Sequence, residues 1–463
     1  MNVEKILGGN RVSLVEMLDA RERRAARQKE MLALGGTLVC FTLNMPGEVK
    51  CFPLAERFFL RGLERLERHL KRSGETVLQT RRFIEKTGCE AFLLVSGDAR
   101  AVKKLTAALE ESSEPSRLYD MDVLSSEGVK VSRGDVGLAA RKCIICGADV
   151  MDCAPRRGHG AAELAREAVR LMLEDLRGLF ADRVAAAAER ALLCEVCVSP
   201  KPGLVDRFNN GSHLDMDLFT FVNSACALTP YFRQCAVQGI DFAGRRPTEL
   251  FEALRLPGME AEERMMAATG GVNAHKGAIF SGGVLCAARG WLWGRGETAE
   301  TGALLDCVKS MLRNLKGDFE KEGGATAGER IYRATGITGI RGEAAAGFPS
   351  AGRLGLPLLE LLLKRGCPFN DAAAITLIHL IASLDDTNMI KRSSAERHEE
   401  VKNQIRELID RDPAPDMETI ASLDRDFIKE NLSPGGSADM LALSLMLLFF
   451  KDFAGEAGPE GLA

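Results

Sequence analysis

A chain of 463 residues exceeds the roughly 250 to 300 residues that a single hydrophobic core serves, so two domains are expected. With 46% hydrophobic, 27% charged and 6% aromatic residues, the composition is that of a helix-rich globular protein. The net charge of −4, from 61 basic and 65 acidic side chains, excludes the broad basic field that non-specific nucleic-acid binding requires, so any phosphate recognition must be local.

Thirteen cysteines, an odd number scattered along a long chain, argue against a disulfide framework and for a reducing, cytoplasmic setting. The first residues carry charges throughout and do not read as a signal peptide. The apolar run ending at Phe450 falls short of the roughly 20 residues needed to cross a bilayer, so no membrane segment is expected.

Residues 13 to 33 place Leu14, Met17, Leu18 and Ala25 at helical spacing, and Gly35 and Gly36 stop that helix. Thr37 to Leu43 is apolar and β-branched and reads as a strand ended by the turn Asn44-Met-Pro-Gly47. Further strands are expected at 90–96 and 117–123, with amphipathic helices at 54–72 and 99–111. The N-terminal domain is therefore α/β or α+β. From about residue 161 the pattern becomes long Ala, Leu, Glu and Arg stretches at helical period, which predicts a larger all-α domain. The boundary is expected near residue 166, giving domains 1–166 and 167–463.

In the first domain Asp120 and Asp122 sit two residues apart in a strand, so their carboxylates share a face. Such a pair can hold Mg²⁺ for phosphoryl or nucleotidyl transfer, and it also suits a solvated strand face. The spacing Cys143-x2-Cys146-x6-Cys153-x5-His159 offers Cys₃His zinc ligands. The expectation is instead reduced cysteines without zinc, beside a basic corner at Arg156, Arg157 and His159 that faces an anionic substrate.

The segments Leu18 to Gln28, Asn44 to Lys50, Thr87 to Glu90, Ser116 to Val123 and Arg141 to Cys146 resemble, in this order, the motifs of the holo-citrate lyase synthase family. That family is also called apo-citrate lyase phosphoribosyl-dephospho-coenzyme A transferase, and the likeness covers about residues 10 to 165. It implies that a serine of an acyl carrier protein, the gamma subunit of citrate lyase, attacks the α-phosphate of a triphosphoribosyl group and releases pyrophosphate. Asp120 and Asp122 would then be catalytic metal ligands, and Arg21, Arg27, Asn44, Lys50 and Arg117 would hold the triphosphate. Ser116 departs from the glycine expected there, which puts a tight phosphate approach at that point in doubt.

In the second domain chemistry-capable residues cluster in Glu195 to Asp217, in Gly270 to Gly277, at Arg341 and Glu343, in Asp385 to Asn388 and in Ser433 to Asp439. A glycine-rich turn opening a helix presents N–H groups to an anion. The segment Gly323 to Arg330 lacks the lysine of a nucleotide-binding P-loop, so ordinary P-loop chemistry is not expected. Pro200 to Asp206, Gly211 to Asp217, Gly271 to Phe280, Asp385 to Asn388 and Ser433 to Asp439 together resemble the triphosphoribosyl-dephospho-coenzyme A synthases, over roughly residues 170 to 450.

That resemblance implies ATP and 3′-dephospho-coenzyme A as substrates, with adenine leaving and the ribose C1 of ATP joining the 2′-hydroxyl of the acceptor. The state passed through is oxocarbenium-like, so carboxylates near the sugar and a base near the hydroxyl are needed. Asp206, Asp215 and Asp217 are the candidates, and His213 or His275 would protonate adenine. Mg²⁺, expected at both sites, would here fall to Asp385 and Asp386, with Asp439 as a third ligand. Lys201, Gly203, Gly271, Asn273, Lys276, Arg341, Glu343, Ser433, Gly435 and Gly436 would bind phosphates or substrate. A sequence carrying both families in tandem resembles their fused form. Two other readings compete: the same chemistry for a malonate decarboxylase carrier protein, and a non-catalytic acyl carrier protein assembly factor.

Overall fold

The computed structural model describes residues 10–153, 158–314, 336–455 and 458. Arg156 and Arg157 of the expected basic corner, and the segment Gly323 to Arg330, lie outside them. The described residues divide into two compact units, the first ending at Gly178 and the second Leu179–Gly458.

In the first unit, helix α1 (Leu14–Leu32) starts at a capping box in which Ser13 and Glu16 satisfy each other's backbone amides. Strand β1 (Thr37–Leu43), helix α2 (Pro53–Arg72), strands β2 (Val77–Glu85) and β3 (Gly88–Val95), helix α3 (Ala99–Glu110) and strands β4 (Tyr119–Leu124) and β5 (Lys130–Val131) follow. The sheet order is β2-β3-β1-β4-β5, and every pairing is antiparallel. The unit is thus α+β rather than an alternating parallel fold. Besides the two-residue β5, strand β2 is an addition to the expected elements. Its arginines and glutamate lie on an edge strand with no buried residue, so it lacks the apolar run that marks a strand in sequence. One sheet face buries Met31, Leu38, Cys40, Phe92 and Leu94 beneath α1. The register sets Cys40 opposite Asp122 and Thr42 opposite Asp120, so both carboxylates stand on that α1 face.

The short helix α4 (Val150–Cys153) precedes the long α5 (Ala161–Cys197). The second unit is helical: α6 (Leu218–Asp241), α7 (Pro247–Ala268), α8 (Lys276–Gly294), α9 (Thr301–Met311), α10 (Gly339–Ala345), α11 (Leu356–Lys364), α12 (Phe369–Ser383), α13 (Thr387–Arg392), α14 (Ala395–Arg411), α15 (Met417–Lys429) and α16 (Gly435–Phe450). Helices α8, α12 and α16 are apolar on nearly every side and form the core. The polar residues at their ends are therefore conspicuous, because an all-apolar helix has no packing use for them. Among the described residues no helix is long and apolar enough to cross a membrane.

Candidate functional site

In the helical unit the loop after α5, the start of α8, the segment before α13 and the start of α16 face one cavity of about 1300 Å³. Its walls bring together Lys201, His213, Asp215, Asn273, His275, Lys276, Arg341, Glu343, Asp385, Ser433, Gly435, Gly436 and Asp439 from separate parts of the sequence. Gly203, Asp206, Asp217, Gly271 and Asp386 are not among its walls, and hydrogen bonding explains each.

Asp206 Oδ2 accepts the Lys201 N–H at 3.0 Å, and Oδ1 accepts those of Phe208 and Asn209 at 2.6 and 3.0 Å. Asp424 of α15 accepts the Gly203 N–H at 2.9 Å and the Asn209 side chain at 2.8 Å. These two acids close the loop that presents Lys201. Asp217 caps α6 by accepting the Thr220 N–H at 2.8 Å. The Gly271 N–H is occupied by Met266 O at 2.8 Å, which removes it as an anion donor.

Asp386, expected as a metal ligand, has both carboxylate oxygens engaged by hydrogen bonds. Its Oδ1 accepts the N–H groups of Asn388 and Met389 at 2.9 and 3.3 Å, and Oδ2 accepts the N–H and hydroxyl of Ser437 at 2.8 and 3.1 Å. One buried carboxylate therefore caps the N-termini of both α13 and α16. Its neighbour Asp385 does line the cavity and accepts from Lys402 Nζ at 2.6 Å. The ligand atoms of Asp385, His398 and Glu399 lie within 4.8 Å of one another, a donor set able to hold a divalent cation together with water and phosphate oxygens.

Lys201 is buried, and its ammonium donates to Glu195 Oε1 at 2.5 Å and to Glu195 O at 2.9 Å. Glu195 heads the segment quoted above and lies near the end of α5. Lys276 is paired with Glu262, and Arg392 donates to Ser212 O at 2.7 Å. Glu343 accepts the N–H and hydroxyl of Ser350 at 3.1 and 2.8 Å.

Both cavity histidines are held below the ordinary imidazole pKa. His213 Nδ1 faces Arg392 Nη2 at 3.1 Å. Arginine only donates, so Nε2 carries the hydrogen and donates to Ser433 Oγ at 2.9 Å. Burial and the Arg392 charge hold this imidazole below its ordinary pKa. His275 Nδ1 pairs with Ser224 Oγ at 2.7 Å. Burial, with the nearby Lys201 charge, pushes its pKa down to about 3. This lowered proton affinity disfavours both as the group expected to protonate adenine. His275 Nε2 is buried without a partner among the described residues, on a side chain that lines the cavity.

Asp439 behaves oppositely. It opens onto the cavity but sits deep enough that burial, aided by Glu195 and Asp386, pushes its carboxyl up to about 8. It packs so closely on Gly277 that a β-carbon there would collide with its Oδ2.

In the α+β unit, Asp120 lies 3.1 Å from Arg141 Nη2 and Asp122 lies 2.8 Å from Lys130 Nζ. Both carboxylates are part-exposed, so such pairs are worth about 0–1 kcal/mol and yield readily to a metal or phosphate. Arg141, inside a quoted motif but not singled out, also pairs with the buried Glu110. Several expected phosphate ligands are already engaged. Arg27 is paired with Glu85 and Glu90 and lies 3.7 Å over the Phe83 ring. Arg117 Nη2 donates to the carbonyls of Lys142 and Cys143 at 2.9 and 2.7 Å. Lys50 Nζ donates to Met45 O at 2.5 Å, and burial lowers its pKa. The Asn44 backbone is fixed to Leu118 O at 2.8 Å, and Arg21 is exposed on α1. Ser116 is buried, with its hydroxyl 2.7 Å from that of Ser113, so it packs inward instead of meeting a phosphate.

Comparison with known proteins places a family on each unit. Residues 12–175 match the family described as apo-citrate lyase phosphoribosyl-dephospho-CoA transferase. Residues 181–456 match ATP:dephospho-CoA triphosphoribosyl transferase. The protein CitXG of Haemophilus influenzae is 33% identical over 96% of this chain and 97% of its own length. Protein CitXG of Leuconostoc mesenteroides is 34% identical over 95% and 97%. The 2-(5″-triphosphoribosyl)-3′-dephosphocoenzyme-A synthase of Pectobacterium atrosepticum is 41% identical over 56% of this chain and 86% of its own. The chain therefore belongs to the fused family that joins an apo-citrate lyase phosphoribosyl-dephospho-CoA transferase to an ATP:dephospho-CoA triphosphoribosyl transferase.

Proposed function

We propose that this chain is a bifunctional transferase that first makes and then attaches the citrate lyase prosthetic group. The helical unit converts ATP and 3′-dephospho-CoA into 2′-(5″-triphosphoribosyl)-3′-dephospho-CoA and adenine. The α+β unit transfers the product to a serine of the apo acyl carrier (gamma) subunit and releases pyrophosphate. The observation that carries this is the coincidence of boundaries: the matches at 12–175 and 181–456 each fall within one compact unit. A cavity of about 1300 Å³ also exceeds the roughly 300 to 1,000 Å³ of a pocket for one small ligand, as two nucleotide substrates require. Thirteen unpaired cysteines fit a reducing cytoplasm.

Within the cavity, Asp439 holds a proton at neutral pH and is the group suited to pass it to departing adenine. Asp215, on the cavity wall beside His213, is placed to take the proton of the attacking 2′-hydroxyl, so the proton lost by the acceptor balances the one gained by adenine. His275 offers its partnerless Nε2 as a hydrogen bond to substrate, because an imidazole held at about 3 stays neutral near pH 7. Arg341, Lys276 and the start of α8 suit the triphosphate. Mg²⁺ at Asp385, or at Asp120 and Asp122 in the other unit, would neutralise triphosphate charge.

Incubating the full chain with ATP and dephospho-CoA should release adenine and yield a product of the summed mass less adenine. Adding apo-citrate lyase should then increase the mass of its acyl carrier subunit and release pyrophosphate. ADP and phosphate as the products would overturn the assignment. Modification of a malonate decarboxylase carrier but not of citrate lyase would redirect it.

A further inference from the structure

We propose that Cys143, Cys146, Cys153 and His159 hold one structural zinc ion, which fixes the loop carrying Arg141 beside Asp120. The four ligand atoms all lie within 4.8 Å of one another, although they come from a turn, from α4 and from the approach to α5. Ligands at about 2.3 Å from a tetrahedral centre stand about 3.8 Å apart. Cys146 Sγ and Cys153 Sγ are 3.7 Å apart, that tetrahedral edge, and far beyond the roughly 2.05 Å of a disulfide.

The backbone is shaped for this task. Cys143 N–H donates to Ala148 O at 2.7 Å and Gly147 N–H donates back to Cys143 O at 3.0 Å. Lys142 and Asp149 form an isolated antiparallel bridge, so the Cys-x2-Cys turn is closed like a short knuckle. Cys153 N–H is tied to Asp149 O at 2.9 Å. His159 Nδ1 lies 3.4 Å from Glu163 Oε2, which leaves Nε2 for a metal. A carboxylate orienting a ligand histidine from behind is the usual outer shell of a zinc site.

A packed core does not account for the arrangement. Among residues 141–150 only Cys143 is buried, too little apolar burial to order the segment, whereas a metal bound by its side chains supplies folding energy directly. Three thiolates and one imidazole select zinc over magnesium or calcium, and binding releases the three thiol protons to solvent. The consequence for the neighbouring carboxylates is positional. Arg117 clasps the carbonyls of Lys142 and Cys143, and Arg141 in the same loop reaches Asp120 and Glu110. This proposal departs from the expectation of metal-free cysteines.

The test uses the full chain purified without chelator or a histidine tag. Elemental analysis should find about one zinc per chain, and Co²⁺ exchanged into the site should give intense thiolate charge-transfer and tetrahedral d–d bands. Cys146→Ser should lose the metal. Glu163→Gln should remain folded by circular dichroism while a competing chelator removes its zinc roughly 10- to 100-fold more readily. Zinc well below one equivalent with no cobalt charge-transfer band overturns the proposal. So does a Cys146–Cys153 disulfide, or full zinc retention in Cys146→Ser. Because these readouts are independent of activity, failure of the enzymatic assignment leaves them unaffected.

Discussion

Asp439 Oδ2 occupies the space where a β-carbon of residue 277 would lie, so the Asp439 carboxyl rests against the start of α8 only because position 277 is glycine. Gly277→Ala should therefore turn the Asp439 carboxyl away from the cavity while leaving the helices in place, since the clashing atom ends a rotatable side chain. A displacement on the order of 1 Å at a reacting group can lower rate about 100-fold, and adenine release should fall on that scale with the melting temperature nearly unchanged. An alanine variant with the original rate would remove Asp439 from the proposed chemistry.

The adjacent acids Asp385 and Asp386 should separate cleanly. Asparagine at 386 keeps one acceptor oxygen where the carboxylate serves four donors across two helix starts. A buried donor left unmatched costs about 1–3 kcal/mol, so Asp386→Asn should lower the melting temperature. Asp385→Asn loses only a part-exposed pair with Lys402 and should melt normally, but it should need more Mg²⁺ for half-maximal adenine release. Equal melting temperatures for the two variants would contradict the helix-cap role.

The units should also fail independently. Asp120→Asn should reduce attachment to the acyl carrier protein on the order of 100-fold, as loss of single electrostatic groups does elsewhere, and leave adenine release intact. Triphosphoribosyl-dephospho-CoA should accumulate, detectable by mass spectrometry. Asp385→Asn should show the reverse, slowing adenine release while attachment from ready-made intermediate survives. Loss of both activities in either folded variant would point to one shared site.

The principal elements of the first unit were legible because their period and punctuation agree: Ser13 and Asp98 cap helices, and Thr37 to Leu43 is a plain buried strand. Strand β2 was hidden because its apolar residues fall in two separated pairs, Val77-Leu78 and Phe83-Ile84, without the alternation that marks a strand. The segments singled out in the sequence line one cavity, but sequence could not rank the acids within them. Asp206, Asp217 and Asp386 look as reactive as Asp215, Asp385 and Asp439, and the difference lies in which backbone N–H groups fold back on them. Asp424 was invisible because it sits in an amphipathic helix 218 residues after Asp206 in sequence, and only the fold brings both to one loop. The proton affinity of the histidines is set by burial and by Arg392 and Lys201, none of which spacing reveals.

A titration of Asp439 tests the site from another direction. Its carboxyl moves from an ordinary 3.8 to about 8 on folding, chiefly through burial and then through Glu195 and Asp386. The unfolded chain gives up this proton near 3.8 while the folded protein keeps it to about 8, so folding takes up a proton across that window. The associated stability is complete below the lower value and is lost as pH rises through the upper one. In chelator, which keeps divalent ions from competing, wild-type denaturation free energy should decline between about pH 4 and 8 more steeply than that of Asp439→Asn, which has no such proton to lose. Adenine release should report the same group, because an acid that donates to the leaving base works only while protonated. Wild-type kcat/KM should fall above about pH 8, and the asparagine variant should be slower by at least about 100-fold, the scale of one general acid, with no decline attributable to this residue. Parallel stability curves for the two proteins would show that Asp439 ionises normally, and the proton for adenine would have to come from elsewhere.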